Sequence, residues 1–408
     1  MGTLWTDREF GKLWLARVVS TAGSALSGVA LPVLMYSLTG SAVHTGALAA
    51  LAAAPYLVFG LIAGALVDRM HRRTVMVVAD LASAGLLVSV PVAAVFDALT
   101  PVHLLVVAGG AASATVWFDA ANFGAVPALV GNEQLVRANS AVWSASTAVH
   151  VVAPSVAGVL IAVIGPAGAV ALDALSFAAS AALVRTILRP LNQLREPRIS
   201  LRADIREGLE FLWREPTVRL FTALGVGQAV AGGAVSGLLV VYAIRVFDVP
   251  ENDARVGVLF SALAAGSFAA TVVMPKISDS CSPRHVTMIG LSAGVVVMGL
   301  LAGVQLWWGA VISTALWGLT STIVIVNGLT VRQLVTPDHL QGRVGLVGRM
   351  VTFGVGQPTG ALAGGVLADA VSVRTALVIT ALPLVLVAVI GWSQVGEQPR
   401  RELGHGLK

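Results

Sequence analysis

The sequence predicts an all-α polytopic membrane protein, with twelve transmembrane helices in two six-helix bundles related by a pseudo-twofold axis. Three observations predict it. Hydrophobic residues fill 56% of the 408 positions and charged residues only 12%, with a mean hydropathy of +0.85, which is more apolar surface than one water-soluble core can hide. The charges gather between apolar runs of about 20 residues, the length that crosses a bilayer. Short polar stretches also recur about half a chain apart, as duplicated units would place them.

Taken in order, the first apolar run, 12 to 37, follows Asp7, Arg8, Glu9 and Lys12. It is too long for a signal-peptide core, so a retained helix is expected. Further helices are expected near 43 to 66, 74 to 96, 102 to 127, 139 to 163 and 167 to 187. A polar interval then intervenes, and six more runs follow near 217 to 243, 254 to 277, 285 to 304, 306 to 330, 345 to 369 and 374 to 394. The organisation expected is an N-terminal bundle over 1–187, a linker over 188–216, a C-terminal bundle over 217–394 and a tail over 395–408. Within the linker, Leu201, Ile205, Leu209 and Leu212 fall at helical spacing opposite charges, which predicts an amphipathic helix along the membrane interface.

An even number of crossings puts both termini on one side. Lys and Arg resist translocation and so mark the cytoplasm. With the N-terminus inside, 22 of the 26 Lys and Arg fall in or beside cytoplasmic segments, while Arg245, Arg255 and Arg374 lie outside and Arg17 sits within the first helix. The protein is therefore expected in the inner, or cytoplasmic, membrane with both termini and the tail cytoplasmic. The formal charge of +5 does not imply nucleic acid, because the arginines flank spans rather than cover one soluble face.

The densest charged turn is Gly64-Ala65-Leu66-Val67-Asp68-Arg69-Met70-His71-Arg72-Arg73, between the second and third apolar runs. Gly64 stands one helical turn before Asp68, where it would let a neighbouring helix approach. The halves echo one another. Asp68 with Arg73 recurs as Asp279 with Arg284, and Leu129-Val130-Gly131-Asn132-Glu133 resembles Leu334-Val335-Thr336-Pro337-Asp338. Such repeats imply a site near the midplane between the halves.

The pattern Gly64-x-x-x-Asp68-Arg69-x-x-Arg72-Arg73 after the second of twelve helices resembles the signature loop of the major facilitator superfamily, over the whole chain. Leu38-Thr39-Gly40-Ser41, Pro127-x-Leu129-Val130 with Ala138-Asn139, Asp173-Ala174-x-Ser176-Phe177 and Gly342-Arg343-Val344 are similar to its enterobactin-exporter and macrolide-efflux branch. The resemblance implies alternating access and a gate at Gly64, Asp68, Arg69, Arg72 and Arg73. It also implies a bend motif in the fifth helix at Pro154 and Gly158, echoed by Pro358 in the eleventh. His71 stands where the family loop has glycine, and Pro275 replaces the glycine of the second-half loop. The fourth helix lacks the arginine that many drug/proton antiporters carry there, so coupling through that group does not follow.

Ionisable groups at membrane depth are costly unless paired or wetted, which makes each a functional candidate. Arg17 and Asp80 each lie about six residues, or roughly 9 Å, from one end of their helices and are expected to form a buried pair with a structural or coupling role. Asp119 lies roughly 15 Å deep with no adjacent cation in sequence, and is expected either to couple protons or substrate or to hydrogen-bond a neighbouring helix. In the family, helices one, four, seven and ten line the pore. The side chains on them that could meet a solute are Tyr36, Trp117, Phe118, Asn122, Gln228, Trp317 and Asn327. An apolar wall with few polar groups suits an amphipathic solute better than a sugar.

The function expected is secondary export of a small amphipathic compound such as a drug, natural product or siderophore by proton-coupled alternating access. An importer or facilitator on the same fold is the alternative. The single Cys281 offers neither disulfide nor metal cluster, no nucleophile or paired acid and base is visible, and the Gly-rich stretches lack a P-loop context. No enzymatic activity, metal or cofactor is therefore expected. The partners expected are the solute, protons and membrane lipid, with no nucleic acid, and the working unit is expected to be a monomer.

Overall fold

The computed structural model describes residues 7–67, 69–191, 201–251, 253–337 and 340–395, and every regular element among them is helical. Helix α1 (Arg8–Thr39) starts where the Asp7 carboxylate accepts from the backbone N–H of Glu9 at 3.0 Å and ends at Gly40, whose φ of 59° closes a left-handed cap onto the Tyr36 carbonyl. The second crossing is two pieces, α2 (Ala42–Ala53) and α3 (Pro55–Val67). Pro55 supplies no N–H and so interrupts the hydrogen-bond ladder at that point. Helix α4 (Arg72–Val95) follows the charged turn.

Residues Pro101–Arg185 form one long run, α5, in which Gly131 (φ 69°, ψ 173°) and Gly165 (φ 75°, ψ 164°) leave helical geometry. Positive φ at these two corners is affordable only to glycine. The predicted amphipathic segment is helical as α6 (Leu201–Arg214). It buries Leu212 against Leu340, Val344 and Val347, so its apolar edge meets the protein; residues 192–200 and the tail from 396 lie outside the described residues. The second half comprises α7 (Pro216–Phe247), α8 (Arg255–Ser280), α9 (Pro283–Gly303), α10 (Trp307–Val335), α11 (Gln341–Arg349), a π-helical segment (Met350–Gly356), α12 (Gln357–Ala370), α13 (Val373–Thr380) and α14 (Leu382–Val395).

Ten helices among the described residues are long and apolar enough to cross a membrane. Twelve were expected. The difference lies in two places: Arg137–Arg185 is counted as one 49-residue run, although Gly165 breaks it, and the eleventh expected span is divided among α11, the π-segment and α12. The chain is an all-α, multi-pass membrane protein.

Packing relies on missing side chains, as expected where lipid supplies no hydrophobic drive and backbones must approach closely. A Cβ on Gly233 or Gly360 would strike the backbone of the facing helix in the α7–α12 pair, and one on Gly266 or Gly318 would do so between α8 and α10. The same device joins the two halves of the chain. Gly46 of α2 abuts the Ala361 carbonyl, Gly365 abuts Ala42, and Gly158 faces Gly257. All three contacts lie toward the end of the molecule that holds the Gly40 turn. Near the other end of the second crossing, nothing among the described residues stands within 4 Å of where a Cβ on Gly64 would be.

Candidate functional site

Three elements bring a polar cluster together inside the N-terminal half. Arg17 projects from α1 and Asp119 from the first part of α5, and the guanidinium Nη1 donates to Asp119 Oδ1 at 2.7 Å. The break at Ala54–Pro55 restarts the second crossing immediately before Tyr56, whose hydroxyl donates to the other carboxylate oxygen at 3.1 Å. The Arg17 cation also lies 5.8 Å from the centroid of the Phe118 ring. Both members of the ion pair keep about a third of their side-chain surface, 27% for Arg17 and 32% for Asp119. The cluster is thus neither sealed in packing nor fully solvated.

This corrects the expected pairing of Arg17 with Asp80. Asp80 is 1% exposed, sits beside Ser180 and leaves Oδ2 without a hydrogen-bond partner. A guanidinium needs room for five donors, and Asp119, on the more open face, offers it where the packed surroundings of Asp80 do not. The cation that Asp119 lacked in sequence is therefore supplied from 102 residues away. Asp173 is equally buried and accepts from Ser176 Oγ at 3.1 Å. The absent side chain of Gly23 gives both residues their space against α1.

The other predicted lining residues divide. Trp117 and Asn122 are partly exposed, and the Trp117 ring lies 6.4 Å from that of Phe59. Phe118 is buried beneath Arg17. Gln228, Trp317 and Asn327 are each 2–3% exposed, which corrects their expected place on an open lumen. Gln228 donates to Ser321 Oγ at 2.9 Å. Asn327 donates to the Pro283 carbonyl and to Thr287 Oγ1, so its amide is spent on joining α10 to α9. Tyr36 is likewise closed off, its hydroxyl accepting from Arg245 Nε at 2.8 Å.

Within the charged turn, Asp68 lies outside the described residues and Arg69 is exposed. Arg72 is 4% exposed and donates to the carbonyls of Gly124 at 3.0 Å and Leu191 at 3.1 Å. A Cβ on Gly124 would collide with that guanidinium. Arg73 donates to the Arg189 carbonyl at 3.0 Å, and Arg189 in turn pairs with Asp7 at 2.8 Å. These contacts join the turn to the N-terminal half and to the first residues after it, and among the described residues the close neighbour expected at Gly64 is absent. Pro154 and Gly158 do not break their helix, whose non-helical points are Gly131 and Gly165. They instead meet Gly257 of α8, beside a hydrogen bond of 2.8 Å from Ser155 to Ser261. Pro358 is the second residue of α12, the helix that follows the π-segment.

Sequence reasoning missed Arg245, Asp369 and the π-segment. Arg245 and Asp369 looked like ordinary loop-flanking charges, and a π-turn leaves no periodic signal over seven residues.

Known proteins share this architecture. The solved nucleoside transporter NupG superposes with a TM-score of 0.81 at 13% identity, covering 96% of this chain and 100% of that one. An inward-facing, occupied bacterial homologue of the human lysosomal transporter Spinster does so at 0.76 and 13%, covering 97% and 98%. In sequence, the multidrug efflux pump Tap of Mycolicibacterium fortuitum is 29% identical over 404 residues, 94% of this chain and 96% of Tap. The enterobactin exporter EntS of Salmonella paratyphi A is 28% identical over 354 residues, 84% and 82%. The family model described as Major Facilitator Superfamily matches residues 13–347 and 251–405. With its all-helical, multi-pass fold and its similarity to two exporters, the chain belongs to the major facilitator superfamily.

Proposed function

We propose that the protein is a secondary exporter of a small amphipathic compound, working by alternating access and driven by inward proton movement. The observation that carries this reading is the Arg17–Asp119–Tyr56 cluster: a carboxylate at membrane depth, held by one cation and one phenol and still partly accessible. Protonating Asp119 would cancel its attraction for Arg17 and free the guanidinium, so proton binding and rearrangement of α1 against α5 are linked. Asp80 stands behind the pair, within electrostatic reach of Arg17, as a second proton-binding candidate. The similarity to Tap and EntS supports efflux over import.

In this reading the chain is a twelve-helix monomer of two bundles, with both termini cytoplasmic and the Gly40 turn on the outer side. The glycine contacts at Gly46, Gly365 and Gly158 join the halves toward the outer end, and a Cβ on Gly64 would have open space among the described residues, which supports an inward-open conformation. Asp68, Arg69, Arg72 and Arg73 would grip the other half when the cavity opens outward. Trp117, Phe59 and Asn122 would face the solute.

The test is a toxicity panel in cells lacking their own pumps, with and without an uncoupler. Resistance to amphipathic compounds that vanishes with uncoupler is the expected result, and resistance untouched by uncoupler removes proton coupling. For the gate, Asp68→Ala should insert normally and lose nearly all flux, and near-normal flux would end that assignment.

A further inference from the structure

The turn between α1 and α2 is gripped by two side chains of the other half. Arg245, near the end of α7, donates from Nη2 to the Gly40 carbonyl at 2.6 Å and from Nε to Tyr36 Oη at 2.8 Å. Asp369, near the end of α12, accepts from the backbone N–H of Ala42 at 3.0 Å, from that of Val43 at 3.0 Å and from Ser41 Oγ at 2.6 Å. The two gripping residues also pair with each other at 2.8 Å.

The arrangement matches the helix dipoles. A helix ends in unsatisfied carbonyls with partial negative charge and begins with unsatisfied N–H groups with partial positive charge. Arg245 puts its cation at the end of α1, and Asp369 puts its anion at the start of α2. Ser41 occupies the N-cap position of α2 and makes no side-chain cap of its own, so the cap comes from 327 residues away. Close backbone contacts at Gly46 and Gly365 bring α2 and α12 near enough for this to happen.

We propose that Arg245 and Asp369 are positioning residues of the transport cycle: a dipole-matched clasp on the α1–α2 turn that holds the two halves together at this end. Opening this end strips α2 of its cap and exposes two N–H groups, so the clasp sets how often the end opens without solute. The proposal rests on the alternating-access reading. Its test needs neither solute nor proton gradient, so loss of export activity and failure of the clasp are separately visible.

The experiment measures distances between spin labels on the full chain in lipid nanodiscs, with Cys281→Ser and labels at Phe96→Cys and Leu306→Cys. Both positions are 75% exposed, at the clasped end and in opposite halves. Asp369→Ala should enlarge the long-distance population about fivefold, the weight of one lost cap. Asp369→Asn, which keeps an acceptor for the N–H groups, should enlarge it less. The exchange Arg245→Asp with Asp369→Arg preserves the pair but reverses both charges toward the turn, and should leave this end at least as open as Asp369→Ala. An unchanged distribution in Asp369→Ala, or a return to the native one in the exchange, overturns the proposal. Should Asp369→Ala fail to fold, Arg245→Gln provides the second reading: it removes the grip on Gly40 and Tyr36 while leaving the α2 cap, and an unchanged distribution there is equally fatal.

Discussion

The two halves of the chain start alike and then diverge. Helices α1 and α7 are each 32 residues long, and each follows an acidic residue that caps its first turn, Asp7 and Glu215. Yet the first half places Arg17, Asp80, Asp119 and Asp173 within its apolar runs, while from Val246 onward, and between Arg219 and Arg245, charges stay near helix ends. The second half contributes instead tight glycine seams, buried amides at Gln228 and Asn327, and the π-segment. The first half of the chain thus carries charge inside its apolar runs, and the second carries close helix joints.

The sharpest way to break that contrast is to neutralise one polar residue in each half. Asp119→Asn should lower pH-driven efflux at least a hundredfold in proteoliposomes, whereas Gln228→Leu should stay within about threefold, since it removes a helix-joining hydrogen bond of modest strength. Equal losses would refute the division.

A smaller effect separates packing from gating. Gly360→Val forces a branched side chain into the Val230 backbone and should cost about 1–3 kcal/mol or more, read as a lower thermal midpoint in detergent. Gly64→Val has open space in this conformation. It should leave that midpoint unchanged while slowing transport, if the charged turn closes in the opposite state.

Within the first half, Asp80→Asn replaces a buried carboxyl whose Oδ2 has no hydrogen-bond partner with a neutral amide, so it should leave the thermal midpoint equal or higher. Asp119→Asn should lower it, because Arg17 loses its counter-charge. The smallest effect concerns the Asp7–Arg189 clamp. Burial raises the Asp7 pKa, but hydrogen bonds from Arg189 and from the N–H groups of Phe10 and Glu9 outweigh it, holding the carboxyl below its usual 3.8. A lowered folded-state pKa gives stability that is present above the unfolded value and lost as pH falls through the folded one. The stability difference between the native chain and Asp7→Asn should therefore be flat from about pH 5 to 8 and shrink below about pH 4.

The membrane class and most helix positions were legible because apolar runs of bilayer length punctuated by charge have few other readings. The charge pairing was not. Arg17 and Asp80 lay at matching depths, but depth says nothing about azimuth, and the choice of Asp119 depended on which helix face turned inward. Gln228, Trp317 and Asn327 failed as lining residues for the same reason: residence on a pore-lining helix does not fix the side of it. Gly23 and Gly124 were unremarkable in sequence because their function is the room they leave for Asp173 and Arg72. The α1–α2 turn, Leu38-Thr39-Gly40-Ser41, is local in sequence, but its partners are more than 200 residues distant.

The π-segment Met350–Gly356 carries a mechanical consequence. Such a coil closes its hydrogen bonds over five residues rather than four, so it stores surplus chain inside an otherwise α-helical rod. Rewinding it to α would release that slack and turn the rod below it by roughly 100° per residue. Because α11 packs onto α6, any such rotation would be handed to the segment tethering the two halves, in discrete clicks rather than as a smooth bend.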